Sequence, residues 1–67
     1  MKRFVKEYAH HRIVSYNNAQ LMASDPDVKE ACKKAASDIS AIVFACYWGR
    51  ITDDEAIRAI CDVNANH

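Results

Sequence analysis

The chain has 67 residues, nine Lys and Arg balanced by nine Asp and Glu, and about half its side chains apolar, which describes one small globular domain. Zero net charge gives no electrostatic pull towards nucleic acid or an anionic membrane, and no apolar run reaches the roughly 18 residues of a membrane span.

The first predicted helix covers residues 2–22. Phe4, Val5, Tyr8, Ala9, Tyr16, Ala19 and Met22 share its expected inner face, with Arg12 and Ser15 among them. Arg12 is positioned to snorkel past the core or to pair with an acid on a neighbouring helix. Val14 and Leu21 stand seven residues apart on a different face. Asn17 and Asn18 are mediocre helix formers and mark a place to bend. Ala23 to Asp25 form a turn short enough to fold the next helix back antiparallel.

The second predicted helix covers residues 26–48. Asp25 is a good N-cap, Pro26 suits the first helical position, and Asp27 favours the positive end of the helix dipole. Val28, Cys32, Ala35, Ile39, Ile42 and Cys46 recur at alternating four- and three-residue steps, one stripe of a helix. Ala41, Phe44, Ala45 and Trp48 add apolar surface on the opposite side, so this helix is expected at the centre of the packing. Gly49 sits where a left-handed residue ends a helix. Thr52 and Glu55 then make a capping box, with Ile51 placed to staple against Ala56. A third, shorter helix is predicted over residues 53–63, with Ala56, Ile57, Ile60 and Cys61 inward and residues 64–67 fraying. The expected fold class is all-α: a three-helix domain with a long antiparallel helix hairpin and a short third helix.

The opening FVKEYA and the closing GRITDDEAIRAI resemble short, uncharacterised helical proteins encoded by bacterial prophages and other mobile elements. The two stretches cover about a third of the chain. The resemblance implies a genetic setting and carries no activity with it.

So short a chain buries only about 60% of its unfolded surface, and small domains make up the difference with disulfides, metals or oligomerisation. Cys32, Cys46 and Cys61 contain no C-x-x-C pair. Cys32 and Cys46 stand about 21 Å apart on one helix, too far to pair, so all three are expected as reduced, buried thiols. The N-terminus is basic without the apolar core of a signal peptide, which makes the cytoplasm the expected compartment.

No catalytic, cofactor-binding or metal site emerges. Adjacent His10 and His11 point about 100° apart on a helix and cannot grip one ion together. Glu7 and His11 share a face but fall short of the three or four ligands zinc takes, and Cys61 with His67 joins only if the tail folds back. Asp53, Asp54 and Glu55 are accounted for by the dipole of the helix they begin. Ser15, Ser24, Ser37 and Ser40 have no His–Asp arrangement beside them, so no enzyme is expected.

Helix, glycine turn and Thr-capped helix has the outline of a helix-turn-helix, yet its second helix would lead with three carboxylates where phosphates sit. The basic sets Lys2, Arg3, Lys6 and Lys29, Lys33, Lys34 fall at opposite ends of the hairpin. What remains is the outward stripe Ser37, Ala41, Phe44 and Trp48, with Val14 and Leu21 also uncovered, read as a protein-binding face. The expected function is a small helical protein-interaction module that pairs with itself as a homodimer and occupies a surface on a host or phage protein. The alternative is a nucleic-acid-associated regulator whose dimer assembles a basic surface.

Overall fold

The computed structural model describes residues 1–64 and contains three helices: α1 (Arg3–Met22), α2 (Pro26–Tyr47) and α3 (Asp53–Asp62). Each boundary lies within a residue or two of its predicted place, and three of them have a local chemical cause. Asp25 caps α2 by accepting the Asp27 amide at 2.9 Å, with Pro26 at the first position. At the far end Gly49 takes φ +77°, and the Gly49 and Arg50 amides return to the Cys46 and Ala45 carbonyls at 3.1 and 2.9 Å. That pair of bonds is a complete Schellman motif. Thr52 Oγ1 accepts the Glu55 amide at 3.1 Å while Glu55 accepts the Thr52 amide at 3.0 Å, closing the capping box.

The core is built in layers that take one residue from each helix. Val5, Cys46 and Ala56 form one, with Ile42, Ile51 and Ile57 against it. Ala9, Ile39 and Ile60 form the next, flanked by Tyr8, Ile13, Tyr16, Ile42, Val43 and Val63. Residue numbers rise along α1 and α3 while they fall along α2, so α2 runs antiparallel to both. The small Ala9 and Ala56 let the three backbones close around Ile39 and Ile60, which are wholly buried.

Three expectations about inner faces are corrected. On α1 the buried stripe is Val5 and Ala9, with Ile13 and Tyr16 packed on the core, while Phe4, Ser15, Ala19 and Met22 are exposed. The face turns towards Ile13 because α1 must meet α2 and α3 together, and its last turn runs beyond the reach of α3. Val28 on α2 is exposed for the same reason: α3 has ten residues, about 15 Å, and ends level with Ala31 and Ala35. On α3 Cys61 is an exposed free thiol, and Val63 packs inward in its place. Cys32 and Cys46 are free and buried. The fraying expected after Asn64 falls on residues outside those described.

Arg12 pairs with a helix end instead of an acid. Its Nη2 donates to the Val63 carbonyl at 2.7 Å and to Tyr16 Oη at 3.0 Å, and Tyr16 Oη donates to the same carbonyl at 3.2 Å. Val63 is the C-cap of α3, and α3 carries no basic residue in its own last turn. The cation that complements the negative end of its dipole comes from α1.

Candidate protein-interaction face

α1 and α3 both pack on the Ile39–Cys46 side of α2, and this determines what is left bare. At about 100° per residue, Ser37, Ala41, Phe44 and Trp48 lie on the side of α2 opposite that stripe. All four are exposed, Phe44 by 64% and Trp48 by 69%. Helix α3 does not fold over the two aromatics; it occupies the other side of α2. Tyr47 joins them at 63% exposure, its ring set edge-on to Trp48 with centroids 5.2 Å apart and planes at 86°. Phe44, Trp48, Ala41, Ala45 and Arg50 line an open groove of about 420 Å³. Two small residues and two aromatics in one lining suit another apolar side chain.

The other two expected face residues are exposed elsewhere. Val14 (40%) and Leu21 (82%) lie on α1, turned away from its buried stripe, and neither lines the aromatic groove. Leu21 and its neighbour Met22, at the end of α1, and Val28, in the first turn of α2, are also exposed apolar residues. Arg50 on the groove is the participant that sequence reasoning missed. It stands just past Gly49, and the Schellman turn rather than helical periodicity decides which way it faces.

Several polar groups between the helices are engaged within the fold. The Cys46 thiol donates to Asp53 Oδ1 at 3.2 Å, and the Lys2 amide donates to Asp53 Oδ2 at 3.3 Å. Burial, then the carboxylate beside it, pushes the Cys46 thiol up from its ordinary pKa. The same thiol bond holds the Asp53 carboxyl below the usual range, with the Lys2 amide adding to it. Glu55 is likewise lowered, chiefly by the Thr52 amide. Tyr8 Oη lies 3.1 Å from Cys61 Sγ, and that hydrogen bond, then burial, raises the phenol. Asp53 thus ties the start of α3 to α2 and to the chain entering α1, while Glu55 closes the cap of its own helix.

His10 and His11 are exposed, their ring centroids 6.3 Å apart, and Glu7 pairs with Arg3 at 3.0 Å. Among the described residues no three His, Cys, Asp or Glu side chains converge as metal ligands do, and His67 lies outside them. A second groove, of about 320 Å³ between α2 and α3, carries the Lys34–Asp38 ion pair at 2.9 Å along its α2 wall. No helix among the described residues is long and apolar enough to cross a membrane.

No protein-family model matches this chain, and neither a curated protein nor a solved structure does so.

Proposed function

We propose that the chain is a small helical protein-interaction module whose working surface is the outward face of α2, and that it acts by covering a surface on another protein of host or phage. The observation that carries this reading is the exposure of Phe44, Tyr47 and Trp48 within about one turn, with Phe44 and Trp48 lining a groove beside Ala41 and Ala45. Aromatic side chains bury about 150–250 Å² each and dominate interface energetics, so three of them in water at one site is costly unless something covers them. The surrounding helix is held rigid by the Schellman turn at its end and by two core layers behind it. A preorganised face loses little entropy on docking.

The test is an affinity capture from bacterial lysate, comparing the parent chain with a Phe44→Ala/Trp48→Ala variant over a range of salt. The reading predicts a captured protein that survives high salt and is absent with the variant. Capture that ignores the double substitution would refute it. Nucleic acid released steeply by salt would favour instead a basic surface built from Lys29, Lys33 and Lys34.

A further inference from the structure

The outward stripe of α2 has an order that identifies its occupant. Ser37, Ala41, Phe44 and Trp48 are spaced four, three and four residues apart, and this spacing reads the same from either end. The two small residues come first and the two large ones last. All four are exposed. We propose that a second copy of this chain packs on this face, its α2 antiparallel to the first about a two-fold axis, with each Trp48 over the other copy's Ser37 and each Phe44 over the other copy's Ala41. This inference rests on the reading of α2 as a docking face and adds the partner and the register.

Shape supports it first. A two-fold antiparallel pairing brings position 48 to position 37 and position 44 to position 41, so every large side chain meets a small one. A parallel pairing sets Trp48 on Trp48 and Ser37 on Ser37, stacking bulk on bulk and leaving a gap beside it. Both pairings are two-fold, but only the antiparallel one lets the patch satisfy itself with large against small. Ala41 beside the crossing makes room for the partner's Phe44, and Ser37 further out does so for Trp48, within the roughly 8–10 Å axis separation of packed helices.

Area is the second support. Three aromatics about two-thirds exposed offer roughly 400 Å² per copy, half of the roughly 800 Å² that each partner buries in a stable pairing. Ser37, Ala41, Ala45 and the stems of Lys33, Lys34 and Arg50 border the patch and extend it towards that total. Antiparallel helices also set each macrodipole against the other's opposite end. Lys33 then approaches the carbonyl end of the partner helix, whose last turn has no basic residue of its own.

The pairing is tested by sedimentation equilibrium of the full chain together with cross-linking. The parent is expected to dimerise with a dissociation constant of about 10 μM, as suits an interface at the small end of the range. Ala41→Glu sets a carboxylate where the axes cross, at a position exposed in the single chain, so it is expected to abolish the dimer while the circular dichroism spectrum stays unchanged. Register is read in a Cys61→Ser background, which removes the exposed thiol. Ala41→Cys is expected to form a disulfide-linked dimer on mild oxidation, because two copies of position 41 stand about 4.5 Å apart along the axis. Ser37→Cys is expected not to, because its copies stand about 16 Å apart. A dimer that persists in a folded Ala41→Glu chain, or a Ser37→Cys chain that links as readily as Ala41→Cys, overturns the pairing. A monomeric parent that still captures another protein through Phe44 and Trp48 also overturns it, and leaves the docking face itself standing.

Discussion

Replacing Arg12 with methionine tests the tie that holds the end of α3 to α1. Methionine keeps most of the length and apolar stem of arginine while removing the charge and the donors. The lost bond to the Val63 carbonyl, at 2.7 Å, has a charged donor and is worth about 1.5–3 kcal/mol. The guanidinium also lies 5.3 Å from the Tyr16 ring centre, worth about 0.5–1 kcal/mol at a partly exposed site. Against these stands Arg12 Nε, a buried atom without a hydrogen-bond partner among the described residues, whose burial costs about 1–3 kcal/mol and which methionine deletes. At mid-range these leave a net loss of about 1 kcal/mol. That is a sizeable share of the roughly 3–5 kcal/mol a core of this size supplies, and it lowers the melting temperature by about 4–8 °C. Urea denaturation followed by far-UV circular dichroism, at one fixed protein concentration because association shifts apparent stability, reads the change. Tyr16→Phe removes the second donor to the same carbonyl and is expected to lose about 0.5–1.5 kcal/mol. The double variant is expected to lose less than the sum, since the two side chains share one network. An Arg12→Met midpoint equal to the parent's, or strict additivity with Tyr16→Phe, would refute the reasoning.

Thr52→Ala deletes one half of the capping box at the start of α3 and is expected to destabilise by about 1 kcal/mol, with Thr52→Ser restoring most of it in the same urea assay. Asp53 and Glu55 have folded-state pKa values below their unfolded ones, so the stability they contribute is complete above the carboxylate range and disappears as the pH falls through it. The denaturation midpoint should therefore drop on acidification through that range, and Asp53→Asn should flatten the drop; parallel profiles for the two chains would contradict this. In a brief pulse of iodoacetamide Cys61 is expected to react first, because Cys32 and Cys46 are buried and the Cys46 thiol is held protonated. Peptide mass mapping that finds Cys46 labelled as fast as Cys61 would count against the Cys46–Asp53 bond.

The helix ends were the most legible part of this sequence because each depends on a few adjacent residues. Asp25–Pro26, Gly49 and Thr52–Glu55 mark the ends locally, and tertiary packing does not displace them. Faces are harder to read. Periodicity shows that Phe4, Val5, Tyr8 and Ala9 share a broad side of α1, but where the centre of that side falls depends on which neighbours arrive and how far they extend. Helix α3 stops level with Ala31, so Val28 and Met22 repeat at core spacing with nothing to pack against. Ile13 is the converse case, drawn inward by the layer of Ala9, Ile39 and Ile60. The stripe of Ser37, Ala41, Phe44 and Trp48 was visible from spacing alone. That α3 would take the other side of α2 was a matter of packing that spacing did not decide. The role of Arg12 was half legible: a cation on an inner face needs an acceptor, but a carbonyl 51 residues away is set only by the fold.

Trp48 is the chain's only tryptophan, so its fluorescence reports on the face of α2 without interference from another indole. The most direct measurement is its emission maximum and acrylamide quenching across a dilution series from about 100 μM to about 0.1 μM, a span that brackets the expected midpoint. Pairing through α2 predicts red-shifted, freely quenched emission in the dilute chain that turns blue and protected as concentration rises. Emission that is blue and protected at every dilution would place Trp48 inside its own fold. Emission that stays red and fully quenched at the highest concentration would show that no second copy covers it.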